Sequence, residues 1–424
     1  MEHLLFAGYL VLFAWLVTKT PFFKASGLTS FQLISIFLLK VMAGIFYGWV
    51  GVYYGNMAQM VDTWSFHYNS LAEAELFRRD PGHYFSGFFS DTYADGFGGF
   101  LGREKSWWDN LDLNLMLKLF GLFNVASFGH YYVNVIFYSF ITLFGPVALY
   151  RVMRHVFPRK RLTLLLAVFF IPSFLYWTSG LHKEGLIFNG LALVVYTVFF
   201  GLNIKRWGWG RLLLLSVGFL LAFAMRSYVA LLLVPAVITW SIAERTIWKP
   251  FVVFTACYIL FSVIFFLAPR VSSGLAFPQA VVEKQRQFSG LTGNSEVPTG
   301  KLEPTAGSFI RNAPQAISLS LMRPYLTDIR HLLSMAAALE TTALLLLLLL
   351  WLGLNFQKLA HPTPFLLFCF FFGLSVLLII GYTVNFLGAI VRYRSIVLPL
   401  LFVPVLAQLP WSNWLNRFTN IRNK

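Results

Sequence analysis

The chain has 424 residues, 58% of them hydrophobic, 18% aromatic and only 12% charged, a balance that excludes an ordinary soluble protein. Its net charge of +16 would suggest nucleic acid in a soluble protein. Here long uncharged runs such as 162–177 and 342–352 point to the Lys and Arg excess of cytoplasmic membrane loops instead, so no nucleic-acid partner is expected. The expected fold is all-α, a polytopic transmembrane helical bundle. A membrane barrel, which needs short alternating segments, does not fit.

Span 1 covers about 3–17. Met1-Glu2-His3 lacks the basic start of a signal peptide and no small-residue cleavage site follows, so this span is expected to be retained. Span 2 covers about 30–54 and contains Lys40, which must snorkel or face the protein interior. A polar loop, 55–128, follows. Span 3, about 131–150, ends in Arg151, Arg154, His155, Arg159, Lys160 and Arg161. This most basic short loop is assigned to the cytoplasm and fixes the other sides.

Span 4 (about 162–178) runs outward and span 5 (about 184–203) returns to Lys205, Arg206 and Arg211. Segment 212–243 lies between basic loops, so it must cross an even number of times, as two short helices with their tip near Arg226. Span 8 (about 250–268) leads to a second outer loop, 269–330, whose stretch from Ser289 to Ser308 reads as mobile. Spans 9 to 11 (about 333–353, 364–384 and 395–409) bring the C-terminus inside. The total is about eleven spans in one integral domain, 1–424, with the N-terminus outside and no internal repeat. Cys257 and Cys369 lie in apolar runs, with no disulfide or metal-site spacing.

The first loop gathers Asp62, Glu73, Glu75, Asp80, Asp91, Asp95, Glu104, Asp109 and Asp112 out of 17 acids in the chain. Asp62 stands closest to the membrane, among aromatics and near His67 and Tyr68, a position expected to perturb its pKa and suit it to accept a proton. Further on, Trp108, Leu111, Leu115, Leu119 and Leu122 recur at helical spacing, with Asn110, Asn114 and Lys118 on another face. This helix either lies in the membrane surface or packs on the protein.

Cations on the outer side run against the insertion rule and are candidates for function. Lys183 and Glu184 begin span 5, where the helix dipole favours Glu184. Lys183 there either meets an anion, snorkels to water or pairs with a loop acid. Arg392-Tyr393-Arg394 is placed at the outer, N-terminal end of span 11, where arginine offers a fork for phosphate oxygens. Arg226 at its hairpin tip and Arg323 at the end of the second loop add two more cations.

These features resemble the GT-C glycosyltransferases, multispan enzymes that take sugars from polyprenyl-phosphate carriers. The resemblance is carried by the run from Val61 to Tyr68, by Arg79-Asp80-Pro81-Gly82-His83-Tyr84-Phe85, by the helix near 107–123 and by the run from Val391 to Pro399. It implies Asp62 as catalytic base. Together with the outer-side charges above, it places the expected substrate site among His67, Tyr68, Asp80, Lys183, Glu184, Arg226, Arg323, Arg392, Tyr393 and Arg394. The partners would be a polyprenyl-phosphate-linked sugar, a glycan or lipid-linked acceptor, and membrane lipid. The setting would be a bacterial inner membrane, with the site facing outward. No strand–Gly-rich loop–helix run marks a nucleotide-sugar fold. No metal ligand set is visible, and a divalent ion near Asp62 is allowed rather than indicated. Two alternatives stay open: an O-antigen-type polymerase or ligase, with Arg311, Arg323 and Arg330 in its second loop, and a carrier for lipid-linked sugars without chemistry.

Overall fold

The computed structural model describes residues 2–53, 62–89, 107–204, 207–355 and 362–411. In chain order the helices are α1 (Glu2–Lys19), α2 (Pro21–Lys24), α3 (Ser30–Tyr53), α4 (Asp62–Arg79), α5 (Pro81–Ser86), α6 (Trp107–Ser127), α7 (Tyr131–Thr142), α8 (Phe144–Val156), α9 (Arg161–Phe169) and α10 (Pro172–Ser179). They continue with α11 (Lys183–Ile204), α12 (Trp209–Met225), α13 (Ser227–Ala243), α14 (Pro250–Val271), α15 (Phe277–Ser289), α16 (Ala306–Ile317), α17 (Leu332–Asn355), α18 (Pro364–Thr383), α19 (Leu387–Arg394) and α20 (Leu398–Gln408). Among the described residues there is no β-strand, only an isolated bridge between Glu296 and Phe386. The fold is an all-α membrane bundle.

Among the described residues seven helices, with α7 and α8 taken as one, are long and apolar enough to cross a membrane, and two bent pairs raise the total to nine. The expected count of eleven is reached only by adding α12 and α13, of 17 residues each. At 1.5 Å per residue each is roughly 26 Å long, short of a hydrocarbon core about 30 Å thick. Apolar surface on α1, α14 and α17 stays largely uncovered by protein, whereas α11 and the α7–α8 pair are mostly buried. α11 is thus the centre of the bundle. It meets α12 at Gly190 and Gly218, where a side chain on Gly190 would come within 2.6 Å of the Gly218 carbonyl; small residues let membrane helices approach this closely.

The two bends have local causes. α9 and α10 meet at 53°, and Pro172 stands at the start of α10, where it can neither donate to the preceding turn nor continue it straight. α19 and α20 meet at 65°, with Pro399 in the first turn of α20. This corrects the reading of Arg392-Tyr393-Arg394: they occupy the C-terminal turn of α19, not the N-terminal end of a span.

Two loop expectations also change. α6 packs along α4: Met116, Phe120 and Phe123 are buried, Lys118 is buried against Glu73 at 2.7 Å, and Asn114 donates to the carbonyls of Gly87 and Phe88 at 2.8 and 2.9 Å. The face read as polar is therefore docked on protein, which leaves the packed helix as the correct alternative. Asp91, Asp95 and Glu104 lie outside the described residues. The segment read as mobile is tied down. Val297 donates to Asn385 at 2.8 Å and Leu387 to Ser295 at 3.0 Å, while Gln285 bonds Gly300, Leu302 and Tyr382.

Candidate functional site

Three helix ends far apart in sequence converge at one point. α4 begins at Asp62 and α11 begins at Lys183-Glu184, both placing a carboxylate in a first turn where the helix dipole favours it. α19 ends at Arg392 and Arg394. The chain turns between α10 and α11 through Gly180, Leu181 and His182, and between α12 and α13 through Arg226.

Arg392 is the hub. Its Nη1 donates to Asp62 Oδ2 at 2.7 Å, its Nε to Glu184 Oε1 at 2.8 Å, and its Nη2 lies 3.2 Å from His182 Nδ1. His182 Nε2 reaches the same Asp62 oxygen at 3.0 Å. The Asp62 carboxylate can only accept, so Nε2 carries a hydrogen toward it, while Nδ1 meets both the backbone N–H of Lys183 at 2.9 Å and Glu184 Oε2. Arg226 Nη2 donates to Glu184 Oε1 at 2.8 Å and its guanidinium lies 4.1 Å above the Tyr393 ring, a cation–π contact. Lys183 pairs with Asp112 of α6, the loop-acid outcome rather than an unfilled anion site.

Burial grades the cluster. The side chains of His182 and Glu184 are fully buried and Arg392 is 19% exposed, while Asp62 is 50% exposed. Asp62 is therefore its open face. Two carboxylates face two guanidiniums, so an incoming anion has to replace a carboxylate on Arg392. One buried atom is left over: Arg226 Nη1 makes no hydrogen bond among the described residues, whereas Glu184 Oε2 pairs with His182 Nδ1. Buried unpaired polar atoms are costly enough to call for an explanation.

The His182 hydrogen bond, helped by the charge of Arg392 and opposed by partial burial, holds the Asp62 carboxyl well below the usual carboxylate range. The position does perturb Asp62, in the direction that keeps it ionised. Paired this way it is a weak base, and its basicity rises as the His182 hydrogen bond or the Arg392 charge is withdrawn.

Beside the cluster opens a cavity of about 1300 Å³. Asp112, Lys183, Arg226, Arg392 and Tyr393 line part of it; most of the rest is apolar, including Phe265, Phe266, Phe309 and Leu378. An amphipathic ligand, with a charged head and an apolar tail, matches that lining.

Other expected site residues lie elsewhere. His67 is buried between α4 and α7, 3.4 Å from Asn134, and burial pushes its pKa down to about 4. Tyr68 is exposed beside Trp64. Asp80 caps α5 by accepting from the His83 N–H at 3.0 Å. Arg323 pairs with Asp328 at 3.3 Å. Arg394 is buried and donates to the carbonyls of Ser320, Leu321 and Arg323. His182 was not singled out from the sequence. The available signal was its place in a His-Lys-Glu run that interrupts two apolar segments. Among the described residues no group of three or more His, Cys, Asp or Glu side chains could hold a metal ion. No protein-family model, curated protein or solved structure matches this chain.

Proposed function

We propose that this protein is a membrane glycosyltransferase that moves a sugar from a polyprenyl-phosphate carrier to a lipid-linked or surface glycan acceptor, on the outer side of a bacterial inner membrane. The observation that carries the reading is the large apolar cavity whose lining includes Arg392, Arg226 and Lys183. A lipid tail fits its apolar part and a phosphate suits its cations, because arginine binds phosphate through parallel N–H groups.

In this reading the carrier phosphate takes the place of Asp62 on Arg392. Asp62, freed from the guanidinium, regains the part of its basicity that Arg392 suppresses and accepts the proton of the acceptor hydroxyl. That oxygen attacks the anomeric carbon as the bond from that carbon to the phosphate oxygen breaks. The electron pair leaves with the polyprenyl phosphate, whose growing charge Arg392 stabilises. Glu184 and His182 stay in place and hold Arg392 and Asp62 through the exchange. Helices α15 and α16, from the second loop, supply Phe288 and Phe309 to the cavity wall.

The test is the envelope glycan profile of a strain lacking the protein, by mass spectrometry, complemented with wild type or Asp62→Asn. Loss of a single sugar, restored by wild type and not by Asp62→Asn, is the expected result. A glycan halted at one repeat unit would instead identify a polymerase or ligase. An unchanged profile would exclude both and leave transport or a structural role.

A further inference from the structure

Both broken spans feed the candidate site, and α10 carries one half of it. α10 has eight residues, too few to persist as an isolated helix, and its last residues, Thr178 and Ser179, lead directly through Gly180 and Leu181 to His182. A charged side chain from another helix meets it at each end. At its start, Glu340 of α17 accepts the Ser173 N–H at 2.6 Å and the Ser173 hydroxyl at 2.6 Å. At its finish, Lys40 of α3, only 3% exposed, donates to the Thr178 carbonyl at 2.7 Å and lies 3.3 and 3.4 Å from the hydroxyls of Thr178 and Ser179.

The signs follow the helix dipole, with the carboxylate at the amino end and the ammonium at the carboxyl end. Lys40 forms no ion pair among the described residues; its recorded partners are all on α10. A charge in a membrane helix is costly and is retained where it has a task. The face of α3 is shaped for this contact. Gly44, one turn after Lys40, lies so near that a side chain there would come within 2.5 Å of the Ser179 carbonyl. Beside Glu340, Thr341 accepts from Arg394 at the end of α19, so α17 holds the helix that leads to His182 and also the helix that bears Arg392.

We infer that Lys40 and Glu340 are positioning residues that clamp α10 from both ends. By fixing its C-terminal end, they set the hydrogen bond from His182 to Asp62. The kinetic arm of the test rests on the glycosyltransferase reading; the spectroscopic arm does not.

The full-length protein, labelled with ¹⁵N-histidine and held in lipid nanodiscs, is compared as wild type, Lys40→Met, Glu340→Ala and Glu340→Gln. The His182 Nε2 resonance is assigned by its loss in His182→Gln. Lys40→Met and Glu340→Ala are expected to shift or split that resonance. They should lower turnover of a polyprenyl-phosphate sugar by about tenfold or more, with KM within about threefold, as a small misplacement of reacting groups does. Glu340→Gln, which keeps an acceptor for Ser173, should recover most of both readouts. Should Lys40→Met fail to fold, Ser173→Ala and Thr178→Val, which remove only hydroxyl contacts, are read on the same resonance. A His182 resonance identical to wild type in the folded clamp variants overturns the clamp, whatever happens to turnover. Absence of turnover in the wild type overturns the transferase reading alone, and the resonance still decides the clamp.

Discussion

Arg392 and Arg394 stand two residues apart at the end of α19, in unlike surroundings. Arg394 is 1% exposed and its hydrogen-bond partners are neutral: three backbone carbonyls and the Thr341 hydroxyl. Arg392 is gripped by two carboxylates and borders the cavity. Backbone carbonyls cannot leave, so Arg394 works as a knot that joins α17, α19 and the turn at 318–323. A half-exposed carboxylate can be exchanged for another anion, so Arg392 can take a ligand. The contrast lies in the partners, since the residue type and the helix are the same.

Substitutions can break or sharpen that contrast. The largest stability effect is expected at Arg394→Met, which strands three carbonyls at about 1–3 kcal/mol each. Thermal unfolding followed by dye labelling of Cys257 and Cys369 should show a loss of several kcal/mol, little restored by Arg394→Lys, which lacks the planar fork. An unchanged midpoint would erase the distinction. Glu184→Gln comes next, because it leaves Arg392 and Arg226 short of counter-charge, at about 3 kcal/mol. Adding Arg226→Met should recover part of that, and strict additivity would mean that the two do not interact.

pH separates the regions further. His67 binds its proton more weakly when folded than when unfolded. Its contribution is therefore complete above pH 6.5 and falls away as pH drops toward about 4. The loss is on the order of 3 kcal/mol, and His67→Gln should flatten that part of the stability curve. The smallest stability effect is expected at Asp62→Asn, below about 1 kcal/mol, because the carboxylate is half exposed. Its lowered pKa means the contribution is present above the ordinary carboxylate value and lost only as pH falls through the folded one. Between about pH 5 and 8 the Asp62→Asn and wild-type curves should run parallel.

The fold was legible because uncharged runs and basic loops speak directly about a bilayer, and each of the eleven apolar segments is helical. The breaks at Pro172 and before Leu398 were not, since a run that is apolar on every face has no periodicity to interrupt. Asp62, Glu184, Arg226, Arg392 and Tyr393 were selected one by one as charges or aromatics in unexpected places. Their meeting across 330 positions of chain is tertiary and has no local signature. His182 escaped because a lone histidine is common. Asp80 stands apart from the cluster for a local reason: an aspartate before Pro81 is a helix cap.

The central claim is that an anionic lipid carrier displaces Asp62 from Arg392 and so makes Asp62 a stronger base. The most direct measurement is release of polyprenyl phosphate from polyprenyl-phosphate sugars by purified protein in nanodiscs, for wild type, Asp62→Asn and Arg392→Ala. The account predicts release by the wild type. Asp62→Asn should bind the carrier at wild-type affinity or tighter and release nothing, while Arg392→Ala should lose carrier binding. Wild-type release by Asp62→Asn, or unchanged carrier binding by Arg392→Ala, would contradict it.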